Sequence, residues 1–142
     1  MVMKVLVPVD GSENSMRAVS YAFNMAKSHP NMEITLLTVA CLYANYIGET
    51  VLNLEEINVD CRKMYSLKLE DAKNYFTDRG VSVNTVLMQG EPADIIIDYV
   101  GKNGINKIII GSRGLGPLKA AIMGSVTYKV LHNVKIPVTV IK

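Results

Sequence analysis

The stretch IIIGSRGLGPLKAAIMGSVTYKV, Ile108 to Val130, decides how the rest of the chain is read. An apolar β-branched run, Ile108 to Ile110, breaks at Gly111; Gly114 follows after two residues, and Gly124-Ser125 after nine more. Beyond Ser125, Val126, Val130 and Leu131 recur at helical spacing, so the pattern predicts a strand, a glycine-rich loop and a helix that begins at Ser125. Glycines let backbone N–H groups approach a ligand with no Cβ between, and a helix start leaves N–H groups unpaired and partly positive. A phosphate suits such a place, and Arg113 and Lys119 add positive charge nearby. A tight strand-to-helix connection would use the same glycines, so both readings stand at this point.

Two familiar phosphate loops are excluded. A Walker loop needs Lys-Ser or Lys-Thr after its second glycine, whereas Gly116 is followed by Pro117 and Leu118. A dinucleotide fingerprint starting at Gly114 would need glycine where Lys119 stands, and Asp10-Gly11-Ser12 after the first apolar run does not supply one either.

Working outward, Val2 to Val9 is a nearly continuous apolar run, as in a strand buried on both faces of a parallel sheet. Ser12 or Ser15 can cap the next helix, whose Val19, Ala22, Phe23 and Ala26 form one apolar stripe. His29-Pro30-Asn31 stops it, and Ile34 to Val39 is a second strand, which makes a right-handed βαβ unit. From Cys41 to Asn53 no period holds, which suggests a long connection near a site. A long helix is expected from Leu54 to Arg79, with Ile57, Cys61, Met64 or Tyr65, Ala72 and Phe76 inward, the charges around Lys68, Glu70 and Asp71 mostly solvated, and Gly80 past its end. Val81 to Met88 reads as a third strand. Pro92 opens a helix with Ala93, Ile96, Ile97 and Val100 toward the sheet, ended by Gly101 to Gly104. Ile105 to Ile110 is the fourth strand and Pro137 to Ile141 the fifth. Alternation of strand and helix predicts an α/β fold, a doubly wound five-stranded parallel sheet with helices on both faces.

With 142 residues, 49% of them hydrophobic, one domain can bury a core without staples. The 15 basic and 13 acidic residues nearly balance and form no basic block, so neither nucleic acid nor a membrane surface is an expected partner. The N-terminal MVMKVLVPVDGS lacks the order of a signal peptide and no apolar run approaches the length of a membrane span, so a cytoplasmic location is expected. Cys41 and Cys61 are too few for a disulfide framework and read as reduced thiols, and the scattered methionines read as core filler. His29 and His132 lie far from the loop in sequence, and no metal or nucleophile motif is present.

Three segments, VLVPVDGSENS, the helical middle, and GSRGLGPLKAAIMGSVTYKVLHNVKIPVTVIK, together cover nearly the whole chain, which thereby resembles the adenine-nucleotide-binding universal stress proteins. Their signature is the same spacing of three glycines and a Ser or Thr. The resemblance implies a Rossmann-like sheet in the order 3-2-1-4-5. It also implies ATP or AMP as ligand, with Mg²⁺ as an optional companion. Contacts to the nucleotide are implied for Pro8, Val9, Asp10, Val39, Ile110, Gly111, Gly114, Gly124, Ser125 and Val126, with Ser112 and Arg113 beside the phosphates. Asp10 would meet the adenine or ribose end, although a capping Asp at a β–α turn reads equally well from the residues alone. The backbone of Val39 would read the adenine edge. A homodimer through the last strand, Ile136 to Val140, is implied too, and it would cover an apolar edge. This chain departs from many relatives at Gly116-Pro117, where proline removes one N–H, and at Cys41-Leu42 on the base side. The expected role is that of a nucleotide-dependent stress-response switch acting through partners. A slow Mg²⁺-dependent ATPase and a dimeric scaffold without nucleotide are the alternatives.

Overall fold

Val5, Leu6 and Val7 of the first strand are fully buried, because helices cover the sheet on both sides of them. A computed structural model of the protein describes residues 1–40, 54–114 and 123–142. The elements follow as β1 (Met3–Pro8), α1 (Glu13–Ser28), β2 (Met32–Ala40), α2 (Leu54–Thr77), β3 (Asn84–Gln89), α3 (Pro92–Asn103), β4 (Lys107–Gly111), α4 (Ser125–Asn133) and β5 (Val138–Ile141). The strands form one sheet in the order β3-β2-β1-β4-β5, with every neighbouring pair parallel. This is the doubly wound sheet expected from the sequence. The expected connection from Cys41 to Asn53 lies outside the described residues.

The alternation of side chains along each strand divides the core in two. On one face Val5, Val7, Ile34 and Leu36 meet Val19 and Phe23 of α1 and Ala72 and Phe76 of α2. On the other, Leu6, Leu37 and Ile110 meet Ala93 and Ile96 of α3 and Val130 of α4. Phe23 stands edge-on to both Tyr75 and Phe76, at centroid distances of 5.5 and 5.7 Å, which locks α1 against α2. On the opposite face the Lys129 ammonium of α4 meets Asp94 at 2.7 Å. That hydrogen bond holds the Asp94 carboxyl below its usual value and raises Lys129 above its own, although water screens the exposed pair.

Several element ends differ from those read in the sequence. The third strand begins at Asn84 rather than Val81, because after α2 the chain turns at Gly80, which has a positive φ of 76°, and Val81 N–H still donates to the Phe76 carbonyl at 3.1 Å. Helix α3 runs through Gly101 and ends only at Gly104, whose left-handed φ of 62° terminates it. On α2, Tyr65 faces inward and Met64 outward. Of the charges expected to be mostly solvated, Glu70 and Asp71 are exposed, and Lys68 is half-buried for reasons given below. Cys61 is buried and free, as a reduced thiol.

Gly111, at the end of β4, is set by packing. A Cβ there would stand 2.8 Å from the carbonyl carbon of Asn14 and 2.9 Å from the nitrogen of Ser15, both in the first turn of α1. Backbone cannot swing aside as a side-chain tip can. Gly111→Ala is therefore expected to force α1 from β4 and cost about 1–3 kcal/mol, the range for overpacking a tight core. The check is the midpoint of urea unfolding, with an unchanged midpoint counting against this account. Phe76→Ala, which removes a fully buried ring, should cost about 3–5 kcal/mol in the same experiment.

Candidate functional site

β1 and β4 are neighbours, yet the chain leaves β1 into α1 on one face and β4 toward α4 on the other. A crevice opens at their carboxyl ends, where ligands of open α/β sheets sit. Its walls are built as follows.

On the β1 side, Pro8 ends the strand opposite Leu37. Val9 N–H donates to the Leu37 carbonyl at 2.8 Å, and the buried Thr38 hydroxyl donates to the Val9 carbonyl at 2.8 Å. The paired β1–β2 register stops at Pro8. Main-chain groups two residues apart on a strand point the same way, so those of Val39 face the same side as those of Leu37, past the end of β1. Its side chain lies in the core with Ala93 and Ile96. The turn after Val9 is held by the Asp10 carboxylate, which accepts the Ser12 N–H at 2.9 Å. Ser12 is then the N-cap of α1 and accepts the Ser15 N–H at 3.2 Å, so of the two capping candidates the first is used.

The β4 side closes onto it. Ile110 is buried in the strand, and Ser112 N–H donates to the Ile141 carbonyl at 2.7 Å. The Ser112 hydroxyl accepts from Asn14 Nδ2 at 3.1 Å, and the Ser12 hydroxyl donates to the Arg113 carbonyl at 3.4 Å. The far end of the loop returns to the same spot, since Gly124 N–H donates to the Ser112 carbonyl at 2.7 Å. A buried Thr127 hydroxyl donates to the Gly111 carbonyl at 2.8 Å, pinning α4 to the end of β4. Gly124 is the N-cap of α4 and, having no side chain, makes no capping bond. The first-turn N–H groups at Ser125 and Val126 are thus left for a ligand or water. Ser125 is exposed, and Val126 is partly buried against the core of that face.

The two sides meet at Asp10 and Gly114. A Cβ on Gly114 would run into Asp10 Oδ2, and one on Gly124 would stand 3.3 Å from Arg113 Cα. Asp10, Ser112, Arg113, Gly114 and Gly124 thus come together at the carboxyl ends of β1 and β4, with Pro8, Val9, Ile110 and Gly111 at the strand ends, Ser125 and Val126 in the first turn of α4, and Val39 one strand away. Gly111 differs from the others in that its missing side chain makes room for α1 rather than for the crevice. Lys119, Pro117 and Cys41-Leu42 lie outside the described residues.

One contributor was missed from the sequence. The stem of Lys68, from α2, occupies the space above Gly11, where a Cβ would stand 2.6 Å from its Cδ, and Gly11 itself has a positive φ of 82°. Its ammonium rests 5.1 Å from the centre of the Tyr65 ring. Nothing in the local pattern of α2 reveals this, because only the sheet brings α2 over the β1–α1 turn. Asn14 and Thr38, which the sequence reading did not single out, are likewise part of the framework.

Comparison with known proteins agrees with this fold. The model of the universal stress protein family matches residues 1–142. The chain is 31% identical to the universal stress protein YxiE of Bacillus subtilis, over 98% of both chains. It superposes with a TM-score of 0.85 on the solved structure of MJ0577 from Methanocaldococcus jannaschii, at 29% identity and over 100% of this chain and 96% of that one. A universal stress protein family protein of Arabidopsis thaliana, solved with AMP bound, is 25% identical over 99% of this chain and 91% of that one, with a TM-score of 0.69. The fold, the crevice and these relatives lead to one conclusion, that this chain belongs to the universal stress protein family.

Proposed function

We propose that this stress protein is a single domain that binds an adenine nucleotide, ATP or AMP, in the crevice between β1 and β4. The observation that carries the reading is the contact of Asp10 with Gly114. The carboxylate fills the space a Cβ would need, so main chain and not side chain lines that part of the loop. In this reading the base and ribose lie toward Asp10 and Val39. Asp10 accepts a hydrogen bond from a sugar hydroxyl or exocyclic amine, and the outward main-chain groups of Val39 meet the base edge. Phosphates lie at Gly114, Gly124, Ser125 and Val126, where uncapped N–H groups at the start of α4 favour an anion. Ser112 and Arg113 stand beside them. The AMP found in the Arabidopsis relative supports this class of ligand.

The role in the cell follows as a switch, in which bound nucleotide holds the glycine loop in one of two states read by partners. A cytoplasmic setting suits that role. Among the described residues no helix is long and apolar enough to cross a membrane. We extend the proposal to a homodimer through β5, which among the described residues pairs only with β4 and so presents an open apolar edge.

Calorimetric titration with ATP and Mg²⁺ should show saturable binding close to one nucleotide per chain, after any copurified nucleotide has been removed. Absence of binding would overturn the reading. Gly114→Val should lower the affinity by at least about tenfold, with the far-ultraviolet circular dichroism retained, because the new side chain displaces the Asp10 carboxylate. For the dimer, light scattering should give the mass of two chains, and the mass of one would refute it.

A further inference from the structure

We propose that Lys68 is a further phosphate-binding residue of this crevice, reaching the phosphate chain of the nucleotide from the face opposite α4. The proposal rests on the nucleotide-binding reading above and assigns to it a residue outside the glycine signature.

Its basis is the way the side chain is held. α2 follows β2, so its first turns lie at the carboxyl end of the sheet and its last at the amino end. Helix side chains lean toward the N-terminus of their helix, which on α2 is the direction of the crevice. Lys68 follows that lean: its ammonium reaches back over Tyr65, one turn earlier, at 5.1 Å from the ring centre. The stem is fixed by Gly11. Cδ, Cγ and Cε lie 2.6, 2.9 and 3.1 Å from where a Cβ on Gly11 would be, so any larger residue there would push the stem away. Gly11 is flanked by Asp10, which touches Gly114, and by Ser12, whose hydroxyl meets the Arg113 carbonyl at 3.4 Å. The ammonium is one bond beyond Cε and therefore beside the turn that forms the crevice wall.

Its electrostatic state points the same way. Among the described residues the ion pairs are Arg17 with Glu13, Lys102 with Asp98, and Lys129 with Glu91 and Asp94, and Lys68 takes part in none. Lys68 is half-buried through its aliphatic stem, and the face of Tyr65 gives its ammonium only a weak partner. A polyanion in the crevice would supply the missing partner. With the uncapped start of α4 on the other side, the phosphates would lie between a helix terminus and a fixed cation.

The test is calorimetric titration of the full chain and of Lys68→Met and Lys68→Arg with Mg²⁺-ATP, AMP and adenosine. Methionine retains most of the apolar stem over Gly11, and thermal melting checks that each variant folds. Lys68→Met should weaken ATP about tenfold, AMP less, and adenosine not at all, and Lys68→Arg should restore most of the ATP affinity. Equal weakening of all three ligands would mean that Lys68 only props the β1–α1 turn, and would overturn the proposal. So would unchanged ATP affinity in Lys68→Met when the unaltered chain binds normally. Failure of the unaltered chain to bind any of the three would instead overturn the nucleotide reading and this assignment with it.

Discussion

Two strands that lie side by side but send their helices to opposite faces leave a gap at their carboxyl ends, and the functional geometry of this protein depends on how that gap is closed. Side chains would fill it. Here the backbone of the loop after β4 comes up to the Asp10 carboxylate, and glycine at 114 is what permits the approach. The hydroxyls of Ser12 and Thr127 and the amide of Asn14 tie the two connections to each other and to the strand end. Each bond is modest by itself, but together they fix where both ends of the glycine loop stand. Under the proposed function, an arrangement fixed in this way would lower the ordering cost of binding a nucleotide.

The glycines of the signature do not share one purpose. Gly111 lies against the main chain of Asn14 and Ser15, so it sets how closely α1 can pack on β4. Gly114 makes room for Asp10, and Gly124 lets α4 start close to Arg113 without a capping side chain. A substitution at the first should be read in stability, and one at the second in ligand affinity. Gly11, outside the signature, combines a left-handed conformation with the stem of Lys68 above it. That couples the β1–α1 turn to a helix from the middle of the chain. The aromatic contacts of Phe23 with Tyr75 and Phe76 make α1 and α2 one layer, so Lys68 is carried on a firm support.

The fold could be read from the chain because its signals are local. A strand buried on both faces must be apolar without interruption, as Val5 to Val7 and Ile108 to Ile110 are, and a helix on a sheet must repeat its apolar residues as Val19, Ala22 and Phe23 do. Ends were less legible. Val81 and Val83 have the composition of a strand, but a Schellman-like turn at Gly80 holds the chain back until Asn84.

What the sequence by itself determined was the order of elements, the strand–helix alternation that implies a parallel sheet, and a glycine loop that opens a helix, since each is written in residues within one or two turns of each other. Only the tertiary structure decided that Gly111 serves packing, that Asn14 and Thr38 belong to the framework, and that Lys68 overhangs Gly11. Those facts join residues far apart in the chain. Their physical cause is the distance of closest approach between backbones, which no local periodicity records.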